Sequence, residues 1–362
     1  MNRAFWKDKR VFLTGHTGFK GGWLSLWLAD LGAEVHGFAL PAPSNPNLFT
    51  LCNLETRLKS STIADIRDAA ALARAMQAVR PHIVLHLAAQ PLVQHSYAAP
   101  VETFAVNVMG TVHLLESVRN TPTVRAIVNV TTDKCYENHE TVWSYREDEA
   151  MGGHDPYSSS KACSELVTAA YRRSFLEPSS VHVASARAGN VIGGGDWAAD
   201  RLIPDFFRAM DSRQSLTIRF PHAIRPWQHV LEPLSGYLAL AEKLYLEGQN
   251  FAEAWNFGPE ESDARSVQWI VEHLCRQVPG SGWRCHDGPE PPHEARYLSL
   301  DISKAKIKLG WRPRWNLQSA LGYTLDWHHA WKRGEDMTAT CIAQIREYES
   351  CTNLRLRAVG QS

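Results

Sequence analysis

Val11-Phe12-Leu13-Thr14-Gly15-His16-Thr17-Gly18-Phe19-Lys20-Gly21-Gly22 decides the fold. Its first four residues read as a short buried strand. Trp23 to Leu31 then places apolar residues at helical spacing, until Gly32 ends the helix. Between strand and helix stand glycines 15, 18 and 21. The first permits a tight turn, the second lets backbone approach a pyrophosphate, and the third lets helix and strand pack closely. The start of the helix adds free N–H groups and a partial positive charge. A glycine triplet alone is also what a tight turn against a sheet needs. Placed between a strand and a helix at the head of the chain, it predicts a dinucleotide site with Gly15, Thr17, Gly18, Phe19, Lys20 and Gly21 as contacts.

Outward from that stretch, strands and helices alternate. Glu34 to Leu40, Ser60 to Asp65, Ile83 to Leu87, Ala126 to Thr132 and Val181 to Arg187 read as strands. Helices run to Arg80, from Val101 to Arg119 and from Tyr157 to Phe175. The alternation predicts an α/β fold, a Rossmann-type doubly wound parallel sheet covered on both faces. After Gly189, glycine, proline and aromatic residues become frequent and the alternation stops. The division expected is an NAD-binding part over 1–188, with 226–258 returning to it, and a smaller substrate-binding part over 189–225 and 259–332. Gln228–Ala241 and Ala254–Phe257 are the pieces predicted to rejoin the sheet. A C-terminal tail over 333–362 carries a helix from Ala339 to Tyr348.

Bulk properties narrow the function classes. The 362 residues are 44% hydrophobic, ample for a large core. Lys+Arg and Asp+Glu both number 38, so no nucleic-acid footprint is present and any anion site must be local. No uncharged run approaches the roughly 20 residues of a membrane span, and residues 1–10 lack a signal-peptide apolar stretch. The seven cysteines are scattered without a C-x-x-C, as expected of reduced thiols in a cytoplasmic protein. His328-His329 has no third ligand at sensible spacing, so it reads as helix surface and no metal is expected.

The chemistry concentrates in two places. Thr132 follows an apolar run, and 25 positions later Tyr157 and Lys161 stand four apart at the start of a helix. A phenol is a weak base at neutral pH, with a reference pKa of about 10. A lysine one turn along can stabilise the phenolate. That set suits removal of a hydroxyl proton while a hydride leaves for a nicotinamide. The second strand ends Phe38-Ala39-Leu40, without the acid that usually holds the ribose of NAD and without an arginine for a 2′-phosphate, which favours NAD over NADP. Asp65 and Ile66 stand where the adenine amino group would lie, although Asp65 also suits a helix cap.

Thr14-Gly15-x-x-Gly18-Phe19-x-Gly21, His86-Leu87-Ala88-Ala89-Gln90, Thr131-Thr132-Asp133 and Tyr157-x-x-x-Lys161 together resemble the extended short-chain dehydrogenase/reductase family. Arg187-Ala188-Gly189-Asn190-Val191-Ile192-Gly193, Gly194-Gly195-Asp196-Trp197 and Arg225-Pro226-Trp227-Gln228-His229-Val230 are similar to its nucleotide-sugar-modifying 4,6-dehydratase branch. The resemblance covers the chain to about Trp331. It implies bound NAD and a nucleotide-sugar substrate, CDP-glucose. His86, Ala88, Ala89, Gln90 and Lys161 would then line the nicotinamide ribose, with Asn107 supporting them from the adjacent helix. Asn190 and Arg225 would contact the diphosphate, with Arg201 and Arg296 as further phosphate or base contacts.

The reaction implied begins with Tyr157 taking the sugar 4-hydroxyl proton while Thr132 holds O4. C4 is oxidised, the C5 proton is removed, and a protonated Asp133 delivers its proton to the departing 6-hydroxyl. In better-known members the residue after the matching Asp is a Glu assigned as the C5 base. Here it is Lys134, which as a neutral amine could be that base or as a cation could stabilise the enolate. Tyr136 and Tyr145 are further candidates for substrate contact. The runner-up reactions are 4-epimerisation, or 4,6-dehydration of another nucleotide sugar. A non-catalytic NAD-binding regulator would leave Thr132, Tyr157 and Lys161 without purpose. The two long helices resemble the family's subunit seam, which implies a homodimer or homotetramer.

Overall fold

The computed structural model describes residues 1–288 and 295–359, so 289–294 of the predicted substrate-binding part and the last three residues of the tail lie outside the described residues. Seven parallel strands form the main sheet: β1 (Arg10–Thr14), β2 (Glu34–Ala39), β3 (Ser60–Ile63), β4 (Ile83–His86), β5 (Ala126–Val130), β6 (His182–Ala188) and β7 (Ala254–Phe257). Their order is β7-β6-β5-β4-β1-β2-β3, all in parallel register. From β1 the chain winds outward through β2 and β3, then crosses back to β4 on the other side of β1. Such a reversal opens a crevice at the carboxyl ends of β1 and β4.

The central strands β1, β4 and β5 are mostly buried apolar runs because both faces are covered, whereas the edge strand β3 (Ser60–Ile63) has no buried residue. Val11 and Leu13 enter one core with α1 (Phe19–Asp30). Phe12, between them, enters a second core with α2 (Ala69–Val79) and α3 (Gly110–Arg119). Two glycines of the phosphate loop are sterically required. Gly15 has φ +78°, and a Cβ on it would meet the backbone N of Ala88 at 2.8 Å. A Cβ on Gly21 would meet the carbonyl O of Gly15 at 2.0 Å. The strand and helix can pack this closely only without side chains there.

The helix α4 (Pro156–Tyr171) starts at Asp155, which accepts from the Ser158 N–H (3.0 Å) and hydroxyl (2.6 Å), with Pro156 at the first helical position. The long helix predicted from Val101 is three pieces: Pro100–Phe104, a π-helical turn Ala105–Met109, and α3. The widened turn carries Asn107, whose amide accepts from Gln90 N (2.9 Å) and donates to Ser160 Oγ (2.8 Å), tying the loop after β4 to α4.

A third core joins Ile192, α5 (Leu202–Asp211), the strand Leu216–Ile218, Trp227, α7 (Val267–Gln277) and the first turns of α8 (Leu317–Lys332). Ala254–Phe257 rejoins the main sheet as predicted. Gln228–Ala241 does not rejoin it: Gln228–His229 pairs with Val191–Ile192 in a separate two-stranded sheet, and α6 (Leu231–Glu247) packs across β5 and β6 as a helix. The last helix, α9 (Met337–Val359), is longer than predicted and lies against α1 and α8, burying Cys341, Ile345 and Tyr348.

Candidate active site

One cavity of about 1330 Å³ runs from the glycine loop, past the carboxyl ends of β4 and β5, to the third core. Single-ligand pockets usually hold about 300–1,000 Å³, so there is room for two ligands side by side. Of the residues singled out from sequence, Gly15, Thr17, Gly18, Phe19, Lys20, Gly21, Asp65, Ile66, Ala88, Ala89, Thr132, Asp133, Lys134, Tyr157, Lys161, Asn190, Arg201 and Arg225 line it. The side-chain-free cradle of Gly15 and Gly21 below the start of α1 fits a pyrophosphate.

Three other predicted residues stand behind the wall. His86 Nδ1 bonds Thr14 Oγ1 at 2.7 Å and Nε2 faces Thr111 Oγ1 at 3.4 Å; burial, then the Lys161 charge, pushes its pKa down to about 3. It is a neutral strut between β1 and α3. Gln90 spends its amide on Thr103 and Leu92, and Asn107 braces Gln90 and Ser160. Arg296 is exposed away from the cavity lining, and its carbonyl accepts from Ile224 N at 2.9 Å.

At the centre, Thr132 Oγ1 donates to Asp133 Oδ1 (3.0 Å) and accepts from Lys134 N (3.3 Å), and its hydroxyl also acts on the Tyr157 phenol, favouring the phenolate. The Asp133 Oδ2 atom is buried with no hydrogen-bond partner among the described residues. Burial pushes the Asp133 carboxyl up, against Lys134, Thr132, Arg225 and Lys20. A shift in that direction suits a carboxyl that is to donate a proton. Burial also pushes Tyr157 up to about 12, opposed by the Thr132 hydrogen bond and by Arg201.

The expected help from Lys161 takes another form. Its ammonium donates to the Val130 carbonyl (3.2 Å), and the charges that act most on Tyr157 are Asp133, Arg201 and Asp155. Burial lowers Lys161 itself to about 8. Burial also lowers Lys20 to about 7, and the Arg201 and Lys161 charges push the same way. Arg201 is held by Asp196 at 2.9 Å, so it is at once an ion-pair member and part of the wall.

Other expectations are corrected. Tyr136 and Tyr145 stack on each other (5.1 Å between centroids) away from the cavity. Arg187 donates to the Tyr136 hydroxyl at 2.8 Å, and that hydroxyl donates to Asn256 at 2.7 Å. His328 is buried rather than on the helix surface, stacked on Phe207 (4.0 Å) and bonded to Asp211 (3.3 Å); no group of metal-ligating side chains occurs among the described residues. Asp65 is gripped by the Arg67 guanidinium at 2.6 Å and the Arg67 N–H at 2.8 Å, while Asp68 caps α2. Sequence reasoning gave no role to Asp196, Asp205, Trp197, Trp227 or His286, which also line the cavity. For Asp205 a signal existed: it is an acid in the first turns of a helix, four residues after Arg201.

The model of the GDP-mannose 4,6-dehydratase family matches residues 12–323. The CDP-glucose 4,6-dehydratase of Salmonella typhimurium LT2 is 54% identical over 97% of this chain and 99% of its own length. The dTDP-glucose 4,6-dehydratase of Xanthomonas campestris pv. campestris is 27% identical over 89% and 94%. Among solved structures, the UDP-glucose 4-epimerase of Thermotoga maritima superposes with a TM-score of 0.76 at 22% identity, covering 88% of this chain and 98% of that one. The epimerase Mth375 of Methanothermobacter thermautotrophicus has a TM-score of 0.76 at 25% identity, covering 91% and 95%. The chain belongs to the GDP-mannose 4,6-dehydratase family.

Proposed function

We propose that the chain is a lyase that converts CDP-D-glucose to CDP-4-dehydro-6-deoxy-D-glucose and water, with NAD as a resident cofactor. The observation that carries this reading is the Tyr157–Thr132–Asp133 cluster, a buried phenol and a buried carboxyl in one cavity with the Thr132 hydroxyl on the carboxyl, in a chain 54% identical to a CDP-glucose 4,6-dehydratase. The glycine loop, Asp65, Ile66, Ala88, Ala89 and Lys161 are the residues that would hold NAD. When bound, NAD supplies an electron-pair acceptor for C4, a donor for C6 and a positive charge in the cavity, and it is restored at each turnover.

The remaining chemistry falls to side chains. Tyr157, as phenolate, takes the proton of the sugar 4-hydroxyl, and Thr132 holds that oxygen and the phenol together. The 4-ketone so formed acidifies the C5 hydrogen. Lys134, in the same wall, serves the elimination as base or as the cation beside the enolate. Asp133 protonates the departing 6-hydroxyl, so one water leaves and C5 is reprotonated at the end. Arg201, Arg225 and Asn190 bind the diphosphate. A 4-epimerase needs no acid at 133, and a buried carboxyl with one unpartnered oxygen, raised by burial, favours dehydration over that reading.

No helix among the described residues is long and apolar enough to cross a membrane. The free thiols of all seven cysteines fit a reducing cytoplasm. Val101, Met109, Leu166 and Phe175 are exposed on the helices expected to form a seam, which supports a homodimer or homotetramer. The deciding experiment assays nucleotide-diphosphoglucoses for a 4-keto-6-deoxy product by its alkaline chromophore. Product from CDP-glucose well ahead of the dTDP, UDP and GDP sugars is expected. Equal rates for all bases, or turnover of dTDP-glucose alone, would refute the assignment.

A further inference from the structure

The nucleotide-sugar reading leaves open which residue recognises the base, and the far end of the cavity supplies one. With a dinucleotide on the glycine loop and the hexose at Tyr157, the nucleoside has the remaining end, walled by the first turn of α5, the strand Leu216–Ile218 and the rings of Phe220, Trp227 and His286. That wall is largely apolar and aromatic, fit to sandwich a base but indifferent to its edge. Its discriminating groups are few. Asp200 is spent on Arg219 at 2.9 Å.

Asp205 is placed differently. It follows Arg201 by one turn, with its N–H donating to the Arg201 carbonyl at 2.9 Å. Arg201, the extended residue that precedes α5, and Asp205 in its first turns both line the cavity, and the Arg201 charge is the one that acts on Tyr157 and Lys20. One oxygen, Oδ1, is held by Arg208, whose guanidinium also donates to the carbonyls of Trp197 (3.1 Å) and Ala198 (3.2 Å). The carboxylate is thus clamped in orientation. Its other oxygen, Oδ2, accepts no hydrogen bond among the described residues, and the side chain is 34% exposed.

We propose that Asp205 selects the pyrimidine: Oδ2 accepts a hydrogen bond from the exocyclic amino group of cytosine. Uracil and thymine present a carbonyl oxygen at the same ring position, which a carboxylate oxygen repels. The selection is thus built from attraction to one edge and repulsion of the other. A hydrogen bond to a charged group, lost or turned repulsive, corresponds to about 10- to 100-fold in affinity.

The test titrates the full chain with CDP and with UDP by calorimetry, for the wild type and for Asp205→Asn. The wild type should bind CDP at least about 10-fold more tightly. The amide can donate to a carbonyl or accept from an amine, so the two affinities should converge to within about 3-fold in the variant. With CDP-glucose as substrate, KM should rise about 10-fold while kcat stays within about 2-fold, the pattern of lost binding rather than lost chemistry. A variant that keeps the wild-type preference, or a wild type that binds both nucleotides equally, overturns the proposal. Should Asp205→Asn fail to fold, Asp205→Ser offers a hydroxyl with the same dual capacity and answers the same question. Absence of 4-keto product from every sugar would defeat the lyase reading instead, and the binding ratio would still decide the role of Asp205.

Discussion

Lys161 and Glu165 stand one turn apart on α4, and their surroundings differ in kind. Glu165 is saturated: it accepts from Thr131 and Ser185 (both 2.5 Å) and from Arg187 through two nitrogens (both 3.0 Å). Those partners outweigh burial and hold its carboxyl below the usual range. Around Lys161, one turn nearer the cavity, burial wins. Lys161 has a single carbonyl partner at 3.2 Å, Asp133 keeps an unpartnered oxygen, and Tyr157 is pushed up to about 12. One helix therefore carries a satisfied ion pair that fixes β5, β6 and α4, and an unsatisfied set whose missing partners a ligand must supply.

If that contrast is right, substitutions on the two sides should fail in different ways. Tyr157→Phe removes one oxygen from the unsatisfied set. Turnover of CDP-glucose should fall by about 10³ to 10⁴, with the thermal midpoint unchanged or raised because a buried polar group is gone. Arg187→Met strikes the satisfied side. It strands a buried carboxylate and should cost about 3–5 kcal/mol in urea unfolding. Glu165→Met added to it should restore much of that loss, since a pair exchanged for packed apolar side chains is close to neutral. An Arg187→Met protein of full stability would show that the pair is ornamental and would dissolve the contrast.

Asp133→Asn sharpens the comparison within the unsatisfied side. The amide keeps the shape and the contact with Thr132 but cannot deliver a proton to a leaving hydroxyl. Formation of 6-deoxy product should drop about 10² to 10³, while solvent deuterium still enters C5 of recovered sugar. Loss of the deuterium exchange along with product would move Asp133 from the elimination to an earlier step.

These two sides were unequally legible in the sequence. The glycine loop, the positions of the strands and the Thr132, Tyr157 and Lys161 set follow from local rules, because spacing along a strand or helix fixes which way a side chain points. The satisfied network did not announce itself. Arg187 was quoted only as part of a motif, and Glu165 and Tyr136 meet it from two other elements, which spacing cannot reveal. The same limit hid the burial of Tyr145 and His328. Lys161 shows a subtler case: it lines the cavity, but its ammonium turns to Val130, and how a buried phenol is tuned depends on three-dimensional neighbours. Helix α9 was underestimated because its mixed charges read as solvated, whereas Cys341, Ile345 and Tyr348 line up on one buried stripe.

That stripe provides the smallest predicted effect and a case between the two sides. Glu232, on α6, accepts from Arg314 N (3.0 and 3.1 Å), Trp315 N (2.7 Å) and the Tyr348 hydroxyl (2.6 Å), so it has partners as Glu165 does. Those partners are neutral, and burial prevails: its carboxyl is pushed up to about 7 from 4.5. The folded chain therefore binds a proton that the unfolded chain has released between those values. The stability this proton contributes is whole below pH 4.5 and is lost as pH rises through about 7. After discounting for relaxation around a buried group, about 1–2 kcal/mol is expected. The measurement is the thermal midpoint of wild type and Glu232→Gln across that window. The wild type should lose ground to the variant as pH rises, since glutamine does not titrate. Parallel curves would mean that three neutral donors, with the Arg314 charge nearby, hold the anion as well as Arg187 holds Glu165.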